Sequence, residues 1–143
     1  MGVIVPRPAD SLRLGARAFA PGEFALMAII NRTPDSFYDN GATFDLAPAL
    51  EHLARAVADG ADIVDVGGVR AGYGPEVDAT EELRRTSDFV AEARARFPDL
   101  VISVDTWRSE VADELCALGA NLVNDTWSGH DPELAAVAAQ HGA

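Results

Sequence analysis

The chain has 143 residues, 48% of them hydrophobic, enough for one domain with a core of its own. Its 23 acidic residues against 11 basic ones give a net charge of −12, a surface that repels nucleic-acid phosphates and anionic membranes, so neither is expected as a partner. There is no lysine, which excludes Schiff-base chemistry and a P-loop lysine, and the single cysteine, Cys116, excludes an internal disulfide.

Residues 1–23 hold Pro6, Pro8 and Pro21 among scattered arginines. Val3-Ile4-Val5 before Pro6 is too short for a signal-peptide core, and no run approaches the ~18 apolar residues of a membrane span. The expectation is a cytoplasmic protein. Leu12-Arg13-Leu14 and Arg17-Ala18-Phe19 alternate across Gly15, which predicts a small hairpin. The apolar run from Phe24 to Ile30 predicts a buried strand over 24–30. It leads straight into Asn31-Arg32-Thr33-Pro34-Asp35-Ser36-Phe37. Pro34 fixes φ and biases Thr33 away from the helical region, so the chain must turn there.

After a loop to Phe44, Asp45 can cap a helix over 46–59, with Leu46, Leu50, Leu53 and Val57 on one face and Gly60 ending it. His52 lies off that stripe and reads as a solvated surface residue. The second strand is expected at 62–66, followed by a loop from Gly67 to Val77. Asp78 with Glu81 forms a capping pair for a helix to Phe97, which Pro98 stops. The third strand is expected at 101–105. Its helix carries Val111, Leu115 and Leu118 and ends at Gly119, and Cys116 within it reads as a small buried residue. The fourth strand is expected at 121–125. Asp131-Pro132 then opens a last helix, a cap followed by proline at the first position. His141 closes that helix as a terminal cap, and His130, alone in a polar loop, is weak support for a metal.

Strands alternating with helices predict a parallel sheet with right-handed crossovers. A doubly wound sheet and part of an eight-stranded barrel both fit. The loop after the first strand lacks the Gly-x-Gly-x-x-Gly of a dinucleotide fold. All four apolar runs finish on polar groups, which favours a barrel, whose sites sit at the strand C-termini. A barrel takes about 250 residues. The expected architecture is therefore α/β, the first half (four βα units) of a TIM (β/α)8 barrel, with residues 1–23 as a hairpin arm and 24–143 as the half barrel.

From Phe24 to the last residue the chain resembles dihydropteroate synthase, of the pterin-binding barrel family. Asn31-Arg32-Thr33-Pro34-Asp35-Ser36-Phe37 is similar to the family's first signature, except that valine is usual at Arg32. Gly60 to Gly68 is similar to the start of the second, Ser103-Val104-Asp105-Thr106 to the third and Asn124-Asp125 to the fourth. The resemblance implies condensation of a dihydropterin pyrophosphate with p-aminobenzoate in folate biosynthesis, with Mg²⁺ and release of pyrophosphate. The two unpaired edges of four parallel strands predict, separately, a homodimer that completes a pseudo-barrel.

The resemblance also implies site residues. Asp105 would take ring N–H groups in a charge-assisted pair, and Asn124, which donates and accepts, would read the mixed pterin edge. Asn31 would offer its amide oxygen to Mg²⁺ or hydrogen-bond the pyrophosphate, and Asp35 would help enclose the developing pterin cation. By composition alone, Asp105 and Asn124 are equally well read as strand-end caps.

Where the family reads Glu-Ser-Thr-Arg-Pro-Gly, this chain has Val69-Arg70-Ala71-Gly72-Tyr73-Gly74. Ala71 lacks the threonine hydroxyl, and Arg70 stands two places before the family's arginine. Two readings remain open: an ordinary synthase, and a pterin-binding paralogue that has lost p-aminobenzoate recognition.

Overall fold

The structure is a computed structural model and describes residues 11–34, 45–70 and 76–143. Its elements in chain order are strands β1 (Leu12–Leu14), β2 (Arg17–Phe19) and β3 (Met27–Asn31), helix α1 (Leu46–Ala58), β4 (Ile63–Gly67), α2 (Ala79–Arg96), β5 (Val101–Asp105), α3 (Ser109–Ala117), β6 (Leu122–Asn124) and α4 (Leu134–His141). β1 and β2 form an antiparallel hairpin, and β3-β4-β5-β6 form one parallel sheet in sequence order. This is the half barrel that the alternation of strands and helices predicts. The stretches joining β4 to α2, β5 to α3 and β6 to α4 are called here the second, third and fourth loops.

Period-two alternation divides the sheet into two faces. Ile30, Val64, Val66, Ile102 and Val104 point to the helices and share one core with Leu50, Leu53, Phe89, Val90, Val111 and Leu115. On the opposite face, Ile63 and Val101 pack with Phe19 of the hairpin, and Leu14 and Leu122 lie against them. The hairpin thus covers the N-terminal end of that face. The guanidinium of Arg17 lies 5.4 Å from the Phe19 ring centre and pairs with Asp62 at 2.7 Å. The C-terminal end of the face is left to Asp65, Ser103, Asp105 and Asn124.

Helix starts follow the sequence in most places. The Asp78 carboxylate accepts from the Glu81 N–H at 2.8 Å, the expected cap of α2. Asp45 is the N-cap residue of α1, although its side chain makes no capping bond. Gly60 and Gly119 follow α1 and α3 with φ of 100° and 114°, the left-handed region that lets a glycine end a helix. Cys116 is buried.

Three expectations are corrected. The first strand starts at Met27, after the exposed Phe24 and Leu26, and it is buried on one face only: Ile30 is fully buried, while Met27 and Ile29 are 44% and 59% accessible. Among the described residues β3 is an edge strand, hydrogen-bonded to β4 alone, so Met27 and Ile29 on the open face have strand neighbours, Ile63 and Asp65, on one side only. The last helix begins at Leu134, not at Pro132. Asp131 serves both helices: its Oδ1 accepts from the Glu133 N–H at 3.0 Å in the turn that leads into α4, and its Oδ2 accepts from the Ser109 N–H at 2.8 Å at the start of α3. His141 does end α4, but its Nε2 lies 2.6 Å from Asp113 Oδ1, which ties α4 to α3. No helix among the described residues is long and apolar enough to cross a membrane.

Candidate functional site

Parallel register brings the polar strand ends into one row. Asn31 pairs with Gly67, Gly67 with Asp105, and Asp105 with Asn124. These residues stand 31, 67, 105 and 124 along the chain and are adjacent across the sheet. Gly67 sits between the two side chains: a Cβ there would make ordinary contact, 3.7 Å from Asn31 Oδ1 and 3.8 Å from Asp105 Cβ. Side chains on this row point to the face away from the helices, where a barrel builds its sites.

One layer below, Asp65 organises the row. Asp65 is buried within an apolar strand. Its Oδ1 accepts from the Ser103 hydroxyl at 2.5 Å, and its Oδ2 accepts from Asn124 Nδ2 at 3.1 Å. A carboxylate offers only acceptors, so the Asn124 amide nitrogen faces down to Asp65 and its oxygen faces away. The Thr126 hydroxyl donates to Asp105 Oδ1 at 3.3 Å. Burial and the nearby Asp65 carboxylate raise the Asp105 pKa to about 6, with Glu82 and Asp125 adding to the rise and the Thr126 bond opposing it. Asp105 thus titrates within reach of neutral pH, as functional carboxylates often do.

The chain leaving β3 is held from behind at Arg32. The Arg32 N–H donates to the Gly67 carbonyl at 2.7 Å, and its Nε–H donates to the Arg85 carbonyl at 2.9 Å. Its guanidinium lies 5.8 Å from the Phe89 ring centre, and burial lowers its pKa. Where the family's valine would pack, this chain places a buried cation.

The structure thus brings together Asn31, Asp105 and Asn124. Arg70 is exposed at the start of the second loop. Asp35 and Ala71 lie outside the described residues. Sequence reasoning missed Asp65 as a site residue. The signal was present: a carboxylate in the middle of Ile63-Val64-Asp65-Val66, on the same face as the row. It also missed the ion pair between Arg108 and Glu82, the latter 1% exposed.

The model of the pterin binding enzyme family matches residues 27–143. The chain belongs to that family. It is 55% identical over 130 residues to "Inactive dihydropteroate synthase 2" of Mycobacterium tuberculosis, covering 91% of this chain and 41% of that protein. To the dihydropteroate synthase of Streptococcus pyogenes serotype M1 it is 39% identical over 124 residues, covering 85% of this chain and 46% of the relative. The crystal structure of the Yersinia pestis dihydropteroate synthase with a sulfonamide drug superposes with a TM-score of 0.84 at 36% identity, over 92% of this chain and 48% of that one. The chain spans about half the length of the curated relatives it matches. The resemblance of the four signatures to dihydropteroate synthase is thereby shown, and these pterin binding enzyme relatives place the four βα units in the first half of a barrel.

Proposed function

We propose that the protein to which this chain belongs is of the dihydropteroate synthase type: a transferase that joins a dihydropterin pyrophosphate to p-aminobenzoate and releases pyrophosphate. The row Asn31–Gly67–Asp105–Asn124 carries this reading. In it, Asp105 accepts pterin N–H groups and Asn124 presents its amide oxygen beside them. Asn31 faces the pyrophosphate across Gly67, and Asp35 encloses the pterin cation as the leaving group departs. No covalent nucleophile is required if pyrophosphate leaves first.

Among the described residues, no group of three or more His, Cys, Asp and Glu side chains is arranged to hold a metal. A single amide oxygen at Asn31 fits Mg²⁺ bound chiefly through substrate phosphates, which is how this ion is commonly held. Its chemistry there is neutralisation of the leaving pyrophosphate. The partners in this reading are small molecules and a second copy of the protein, as a cytoplasmic homodimer.

Two observations favour the second reading, a pterin-binding paralogue that does not use p-aminobenzoate. Relatives at 55% identity bear the name of inactive synthases. The loop that holds the amine in the resembling enzymes differs at Arg70, Ala71, Gly72 and Tyr73. The pterin row is unaltered in either case. The deciding experiment measures pyrophosphate release by the full-length protein with dihydropterin pyrophosphate, with and without p-aminobenzoate. Stimulation by the amine, blocked by a sulfonamide, establishes the transferase. Pterin binding without amine-dependent turnover establishes the paralogue. Absence of pterin binding overturns both.

A further inference from the structure

Arg108, in the third loop, reaches α2 and the end of the second loop directly and the fourth loop through Trp107. One guanidinium nitrogen pairs with the buried Glu82 carboxylate of α2, and another donates to the Val77 carbonyl at the end of the second loop, 2.6 Å away. Its guanidinium carbon lies 4.1 Å from the centre of the Trp107 ring in the third loop. Trp107 in turn packs against Trp127 of the fourth loop, with ring centres 4.8 Å apart and planes tilted by 51°. Behind the stack, Thr106 hydrogen-bonds Glu82 through its side chain, and its N–H donates to the Asn124 carbonyl at 3.1 Å. The Arg108 N–H donates to the Thr106 hydroxyl at 3.2 Å. Thr106 directly follows Asp105, so Asp105 and Asn124 of the row are both attached to this assembly.

A buried ion pair alone is a poor argument for function, because well-packed apolar residues can often replace it. The placement of the partners distinguishes this one. Val77 and Trp107 lie on separate loops, Trp107 carries the contact on to Trp127 of a third, and only a planar fork can donate in two directions while covering an indole. A lysine could neutralise Glu82 but could not also hold Val77 and cover Trp107.

We propose that Arg108 is a positioning residue that locks the end of the second loop at Val77 to the third and fourth loops and thereby holds Asp105 and Asn124 in register for the ligand. The ligand consequence rests on the pterin reading above. The locking itself does not.

The test uses the two tryptophans of this chain, Trp107 and Trp127. Indoles this close couple their transitions, giving a paired circular-dichroism signal that depends on their mutual angle. In the full-length protein, the difference between wild type and Trp107→Phe isolates that signal. Arg108→Lys is expected to keep the far-ultraviolet spectrum and cooperative melting while losing most of the coupled signal. Dihydropterin binding is expected to weaken ~10-fold, which corresponds to about 1.4 kcal/mol. A full indole signal in Arg108→Lys overturns the proposal. Should that variant fail to fold, Trp107→Leu removes the stacking surface and leaves Glu82 paired. Weakened pterin affinity there supports the proposal, and unchanged affinity overturns it. A wild-type protein that binds no pterin sinks the reading of the row, while the indole signal still decides the role of Arg108.

Discussion

Asn124 Nδ2 donates to Asp65 Oδ2 across β5, although the two residues are 59 positions apart in sequence. This bond fixes which way the amide faces. Asp65 is itself held by the Ser103 hydroxyl and is only 6% exposed, so the arrangement is rigid. Asp65→Asn puts an amide where a carboxylate was and lets the Asn124 side chain turn over. A hydrogen bond to a charged group contributes about 1.5–3 kcal/mol. Dihydropterin affinity is expected to fall ~10-fold in calorimetry, about 1.4 kcal/mol, although Asp65 sits a layer below the row. Unchanged affinity would confine Asp65 to a structural role.

Asp105→Asn tests the row directly. At neutral pH it removes the charge from a partly buried carboxylate whose partner is the ligand. Truncating one member of such a pair costs about 2–5 kcal/mol. Pterin affinity is expected to drop at least ~30-fold, given that about 1.4 kcal/mol is tenfold. Binding at wild-type strength would return Asp105 to strand-end capping.

The pH dependence of the same residue runs in two directions. Burial and Asp65 raise its pKa to about 6, against an ordinary value of 3.8. The folded protein therefore binds a proton that the unfolded chain releases earlier. The stability contributed by this group is full below pH 3.8 and is lost as pH rises through about 6. Asp105→Asn, a mimic of the protonated form, should melt higher than wild type at pH 7.5, and the gap should close near pH 4. Pterin binding by the carboxylate should instead weaken as pH falls through about 6. Parallel melting curves at all pH values would show that Asp105 is not the titrating group.

How much of this was legible in the sequence depended on how local the cause was. The α2 cap was readable because Asp78 and Glu81 are one turn apart. The order of strands and helices was readable because each apolar run ended on a polar group or a glycine. Asp65 was not, since its meaning lies in Ser103 and Asn124, which reach it only through the sheet. Asp131 was read only in part for the same reason: the local Asp-Pro pattern points to its own helix, where its Oδ1 does accept from Glu133, while the bond from its Oδ2 to Ser109 reaches across to α3. The exposure of β3 was also hidden, because a run of apolar residues does not say which strand has a neighbour on each side.

Gly68 marks a close approach of β4 to α2. A Cβ there would lie 2.9 Å from Thr86 Cγ2 and 3.2 Å from both Glu82 Cγ and the Glu82 carbonyl oxygen. Thr86 and Glu82 are each 1% exposed, so neither side chain has room to withdraw. Gly68→Ala should destabilise by about 1–3 kcal/mol, the usual range for overpacking. Chemical denaturation of the full-length protein measures this, and an unchanged midpoint would show that α2 can move away from the sheet.

The last prediction concerns the sheet edges in the 143-residue chain expressed alone. Among the described residues β3 and β6 each pair on one side only, so both present a row of backbone groups on the other. β3 adds exposed apolar side chains on the open face, Met27 at 44% and Ile29 at 59%. An edge strand that is both unpaired and apolar templates association. A β3 edge in one copy can meet a β6 edge in another with strands still parallel, and two such contacts close an eight-stranded ring. The net charge of −12 per copy opposes this at low salt, and screening by added salt weakens that opposition. Self-association should therefore increase with ionic strength. Ile29→Lys places a charge on the open face of β3 and should shift the population toward monomer without altering the core on the helix side. Analytical ultracentrifugation across a salt series reads both effects. A monodisperse monomer that melts cooperatively at every salt concentration would show that the β3 edge is not an association surface.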